Sequence, residues 1–189
     1  MEYIALISFG VLSRIIPHPA NVTAIGGASF FAGNKRNVWL AMSISFIAMG
    51  VSDMVIGFHA IMWATYMGMF GYVLAGRVLQ STQSMRPRLF GVTIASTWFF
   101  LITNYAVWTQ GLIYPKTFTG LINCFVMALP FFRNSLIGDI AVTASLFSLS
   151  HAVQKYFRNT NARAYHVDLK KYYLSSFIYY VSFYSKFHY

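Results

Sequence analysis

Apolar residues run along this chain in blocks, and short polar or proline-bearing breaks separate them. A membrane span needs about 20 apolar residues at full thickness, and fewer where a segment is re-entrant or partly capped. The first block is Tyr3–Ile16, stopped by Pro17-His18-Pro19. A short, small-residue segment follows at Val22–Gly33, bounded by Asn34-Lys35-Arg36. Asn37–Phe58 has full spanning length and runs almost directly into His59–Leu79. The polar link Gln80–Arg88 leads to Leu89–Gln110, and Gly111–Thr117 reads as a loop. Phe118–Leu129 is apolar but short, and after Pro130 the segment Asn134–Gln154 is again long enough to cross. The pattern predicts an all-α polytopic membrane protein with an integral membrane domain over 1–154. Over 155–189 it predicts a basic, Tyr-rich cytoplasmic tail.

Composition sharpens that reading. Hydrophobic residues make up 57% of the 189 positions and charged residues 10%, where a soluble domain carries roughly 25% charged residues. Mean hydropathy is +0.55. The first block has no basic leader and no small-residue cleavage site, so it is expected to remain as a helix. The net charge of +10 would suggest nucleic acid on a soluble protein. Here the basic residues lie between apolar blocks and in the tail, and topology explains them better. With both termini in the cytoplasm and six crossings, the inner side holds Lys35, Arg36, Arg77, Arg86, Arg88 and the tail cations. Only Arg14, Lys116 and Arg133 fall outside. That asymmetry holds only if Phe118–Leu129 does not cross, so it is expected as a re-entrant or surface helix on the outer face. The tail stretch Tyr172–Ser185 suits an interfacial helix or strand on anionic lipid.

The single cysteine, Cys124, excludes an intrachain disulfide and a CxxC metal site. No phosphate-binding loop, HExxH or GxSxG motif occurs, so no enzymatic activity and no cofactor are expected. The imidazoles His18, His59 and His151 fall on different segments. What stands out is ionisable and polar residues inside or beside apolar blocks, where they cost several kcal/mol unless they face a cavity or a partner. On this layout they gather toward the outer face. Arg14, His18 and Asn21 lie at the first hairpin, and Asp53 and His59 at the third and fourth spans. Asn104 and Trp108 lie on the fifth, and Tyr114, Lys116, Arg133, Asn134 and Asp139 in the last loop and helix. These are the candidate substrate-binding residues. Arg14, Lys116 and Arg133 would attract an anionic or polar group, Trp108 and Tyr114 would pack on a ring, and Asp53, Asp139, Asn104 and His18 would hydrogen-bond. Each also has a structural alternative. Asp53 can pair with Arg14 or Arg133, Asp139 suits a helix start, Arg133 and Lys116 can snorkel, and the two aromatics fit an interfacial belt. The glycines Gly68, Gly71 and Gly76 form a smooth face for helix contact.

The strings Arg14 to Asn21 (RIIPHPAN), Ser52-Asp53 with Gly57-Phe58-His59, Thr103-Asn104 with Val107-Trp108, Tyr114 to Thr117 with Gly120-Leu121, and Ala128 to Asn134 with Gly138-Asp139 carry a resemblance. They resemble a family of uncharacterised bacterial membrane proteins described as transport proteins, which is similar to the substrate-binding S-components of energy-coupling factor (ECF) transporters. The resemblance covers about residues 10 to 150. It implies six helices and a vitamin-like solute bound near the outer face. It also implies an ECF-type coupling subunit and ATPases that power release, in the inner (cytoplasmic) membrane of a bacterium. Solitary corrinoid transporters are a variant in which Cys124 or His18 could meet cobalt. The AxxxA pattern by which S-components often dock is absent from the first helix, and its nearest equivalent is Ala28 to Ala32. The rival class is a structural membrane protein whose polar residues only lock helices together.

Overall fold

The computed structural model describes the backbone of residues 2–186 and the side chains of residues 3–159. Among the described residues all regular structure is helical, in six elements: α1 Glu2–Ile15, α2 Ile25–Lys35, α3 Val38–Ile56, α4 Met62–Val78, α5 Met85–Gln110 and α6 Phe118–Lys186. Packing divides the chain into two compact units, Met1–Phe147 and Ser148–Tyr189. The site described below lies wholly in the first. The second continues the backbone of α6; its tail is helical up to Lys186, and the side chains of the expected interfacial stretch lie outside the described ones.

Among the described residues three helices are long and apolar enough to cross a membrane: α3, α5 and the part of α6 from Phe118 to Asn159, with mean hydropathies of 1.7, 1.3 and 1.5. Helices α1, α2 and α4, of 14, 11 and 17 residues, fall short of the full thickness. Their shortness goes with position. Nearly every residue of α2 from Ile25 to Asn34 is buried inside the bundle. Helix α3 shows the opposite of soluble amphipathicity. Its buried stripe is mostly small or polar, Ala41, Ser45, Ala48, Ser52 and Asp53 beside Ile44 and Met49, while Trp39, Ile47, Val51 and Met54 are exposed. Large apolar side chains outside and mainly small ones inside suit an apolar surrounding, where close helix contact and not exclusion of water drives packing.

Glycines set the closest of these contacts. A Cβ on Gly76 of α4 would strike the Phe30 carbonyl of α2, and one on Gly33 would strike the backbone of Val73. The two helices therefore cross backbone to backbone. Gly68 and Gly71 instead lie against the rings of Phe99 and Trp98 on α5, so the glycine face expected of α4 is a contact face on both sides. Around this crossing Phe30, Met49, Met69, Tyr72, Val92 and Phe147 form the main core.

The expected break at Pro130 does not occur. Residues 118–129 are not a separate re-entrant or surface helix; they are the start of α6, which runs through the proline. A proline inside a helix removes one backbone donor and crowds the carbonyl four residues earlier, a loss that neighbouring groups can absorb in membrane helices. The irregular segment sits earlier, at 111–117. It opens on Gly111, whose left-handed φ of 70° ends α5, and it closes on Thr117. The Thr117 hydroxyl accepts from the Gly120 amide at 3.1 Å and caps α6.

Candidate functional site

The two aspartates among the side chains described lie deep in the first unit, and each is met differently. Arg14, in the last turn of α1, reaches across to α3. Its Nη1 lies 2.7 Å from Asp53 Oδ1 and donates to Ser52 Oγ at 2.6 Å. Tyr66 of α4 donates to Asp53 Oδ2 at 3.3 Å. Asp53 is fully buried, and the Arg14 side chain is 15% exposed, so the pair joins three helices around one neutralised centre. Placing an arginine in the last turn also lets it meet the negative end of the α1 dipole.

Asp139 of α6 has no such cation. Its carboxylate accepts from the Tyr72 hydroxyl of α4, and the Gly27 amide of α2 also faces it. The Ser96 hydroxyl of α5 faces the same group without a hydrogen bond of ordinary geometry. Gly27 stands in the first turn of α2, whose cap position, Ala24, has no side-chain acceptor to offer. The first-turn amides of a helix lack partners within it. Asp139 therefore caps α2 from another helix, at the positive end of its dipole. Gly26 makes the approach possible, because a Cβ there would overlap both Asp139 Oδ1 and the Tyr72 ring. Ser13 performs the neighbouring link: its hydroxyl accepts from the Ala24 amide at 2.9 Å.

Two adjoining cavities open between these groups. One, of about 160 Å³, is lined by side chains from all six helices, including Arg14, Met49, Tyr72, Phe99 and Asp139. The other, of about 260 Å³, lies between α4, α5 and α6 against Phe99, Phe100, Thr103, Asn104 and Phe132. Asn21, Thr65, Phe99 and Ser135 line both. Asn21 reaches them from the loop after Pro19 with a left-handed φ of 62°, a conformation that asparagine tolerates better than most side chains.

Of the residues singled out in the sequence, Arg14, Asn21, Asp53, Asn104 and Asp139 thus meet at or beside the cavities. Asn134 donates to the Ala20 carbonyl at 3.1 Å and ties α6 to the loop that carries Asn21. The others stand apart. His18 is exposed, and its Nδ1 lies 2.7 Å from the Ile16 carbonyl of its own loop. His59 is exposed in the turn before α4. The Trp108 indole donates to the Pro115 carbonyl at 3.1 Å and so pins the 111–117 loop. Tyr114 is half-buried in that loop, and the Lys116 stem folds over Gly111. Arg133 is exposed and lines neither cavity. Cys124 is buried, with its thiol 3.4 Å from the Asn104 carbonyl. Among the described residues no cluster of three or more His, Cys, Asp or Glu side chains gathers.

Sequence reasoning missed Tyr66, Tyr72, Ser96 and Gly26. Tyrosines and serines in apolar helices carry no signal of their own. The Gly26-Gly27 pair was the available sign that another chain segment presses on the start of α2.

The model of a family of unknown function, DUF6580, matches residues 1–164. No curated protein and no solved structure matches the chain. The chain belongs to the DUF6580 family.

Proposed function

We propose that this chain is a multi-pass membrane protein that binds a small solute in the paired cavities, in the manner of an S-component. The observation that carries the reading is the convergence of all six helices on one cavity. In this reading the shorter helices complete six crossings, both termini are cytoplasmic in a bacterial inner membrane, and an ECF-type coupling subunit with ATPases is the partner that powers uptake.

The lining suggests what the solute is like. Arg14 is already neutralised by Asp53, and Arg133 and Lys116 lie elsewhere, so an anionic group has no free cation to meet in the cavities. Four rings, Phe99, Phe100, Phe131 and Phe132, and the hydroxyls of Thr65, Thr103 and Ser135 line the larger cavity. That wall suits a flat, weakly polar ring system with a few hydrogen-bonding edges.

One observation favours the second reading, a structural membrane protein: Arg14 with Asp53, and Asp139 with the start of α2, both lock helices together. Native mass spectrometry of the gently purified protein separates the two. Under the binding reading a small molecule leaves with the wild type and with Arg133→Ala, and is absent from Ser135→Phe, which fills the wall common to both cavities, at an unchanged unfolding temperature. A clean apo mass in all three leaves the structural reading standing.

A further inference from the structure

Helix α2 carries charge of opposite sign at its two ends. Gly27 faces Asp139, and Lys35 lies eight residues on, about 12 Å along the axis at 1.5 Å per residue. At that end Lys35 and Arg88 converge on one ring. Lys35 Nζ lies 5.5 Å from the centroid of Phe147, and Arg88 Cζ lies 4.2 Å from the same centroid. Phe147 is itself held edge-on by Phe31, 4.9 Å between centroids.

Arg88 is an unusual residue to find here. It is only 7% exposed, one Nη donates to the Thr82 carbonyl, and its Nε is buried with no partner. Its charge meets no carboxylate among the described side chains, because Asp53 is paired with Arg14 and Asp139 sits at the other end of α2. The second cation makes matters worse. Partial desolvation beside the bundle, and to a lesser degree the positive charge of Arg88, lower the pKa of Lys35. Cation–π contact offsets only a small part of what an uncompensated buried charge costs. An anion between Lys35 and Arg88 would reverse the sign of that balance. Arg77 and Arg86 stand exposed at the same helix ends, and Val78 and Phe90 beside them are exposed apolar residues of the kind that faces lipid tails.

We propose that Lys35 and Arg88 form a binding site for a phosphate group, presented by an anionic lipid headgroup at this end of the bundle. The guanidinium donors that Thr82 leaves unused match phosphate oxygens, the ammonium adds a point charge, and the apolar neighbours accommodate the acyl chains. The site is separate from the cavities and does not depend on what they hold.

The test uses the full chain in nanodiscs of equal phosphatidylglycerol and phosphatidylcholine, released into native mass spectrometry. The wild type is expected to retain phosphatidylglycerol in clear preference. Removing one cation should lower that retention about fivefold, as expected for a basic residue near a lipid surface. Lys35→Gln and Arg88→Gln are the variants; Lys35 is exposed, so its replacement reads the site even if Arg88→Gln folds poorly. His59→Gln, at the other end of the bundle, should change nothing. Equal retention of the two lipids, or retention unaltered in Lys35→Gln, overturns the proposal. A parallel arm titrates inorganic phosphate in detergent. Stabilisation by phosphate that Lys35→Gln abolishes, with no preference between the lipids, overturns the lipid source in favour of the free ion.

Discussion

The two ends of α2 handle charge in opposite ways. At its start, the buried Asp139 is met in place by a tyrosine hydroxyl and a helix amide, and the nearby Asp53 by an arginine at 2.7 Å. At its end, Lys35 and Arg88 share a phenyl ring, and no described carboxylate answers them. The first arrangement is closed. Asp53 has its cation and Asp139 its hydrogen-bond donors within the fold, so the cavities beside them present mostly rings and hydroxyls. The second is open, and its counterpart must come from outside. A buried charge is therefore not one kind of signal. Whether it marks internal wiring or a site depends on what stands within a few ångströms of it.

The sharpest way to break this comparison is to open the closed end. Arg14→Ala leaves Asp53 buried without its cation and is expected to cost about 3–5 kcal/mol, read by equilibrium unfolding in detergent. The double variant Arg14→Met with Asp53→Leu should recover most of that loss, because it removes both charges together. A single variant as stable as the wild type would show that the pair carries no weight.

Tyr72→Phe comes next. It withdraws one donor from a buried carboxylate, a loss of about 1.5–3 kcal/mol for a hydrogen bond to a charged group. Asp139→Asn should cost less in the same unfolding experiment, since an amide oxygen still accepts from the tyrosine and from α2. If Asn proved the worse replacement, the charge itself and not the acceptor would be holding the helix start.

Gly76→Ala tests the spacing that keeps the two ends apart. Its new methyl meets the Phe30 carbonyl, which cannot swing aside as a side chain can. About 1–3 kcal/mol of overpacking is expected, as a fall in melting temperature. Gly68→Ala, which meets only the Phe99 ring, should fall less.

The smallest effect belongs to the open end. Without its anion, Lys35→Gln relieves a repulsion and should leave stability unchanged or raised by a few tenths of a kcal/mol, more at low ionic strength than at high. A marked loss of stability in detergent would mean that Lys35 is already paired within the protein.

Much of the fold was legible before any coordinates. The helix boundaries follow Pro17 to Pro19, Asn34 to Asn37, the polar link near 80–84 and Gly111, because prolines, glycines and capping side chains act locally on the backbone. Pro130 misled for the same reason in reverse. It disfavours a helix locally, and only the packing of α6 against its neighbours decides that the helix continues.

The candidate site was legible in part. An ionisable residue in an apolar block must be met by something, so Arg14, Asp53 and Asp139 could be picked out by chemistry alone. Which group meets which could not. Arg14 and Arg133 were equal partners for Asp53 in the sequence, and only the crossing of α1 and α3 chose Arg14. Arg133 and Lys116 resembled Arg14 in type and apolar context, yet neither lines the cavities. Residue identity determined that this chain forms apolar helices with a few costly polar groups inside them. The tertiary structure alone decided which of those groups are neutralised. Pairing depends on distances between residues far apart along the chain, and helix packing sets those distances.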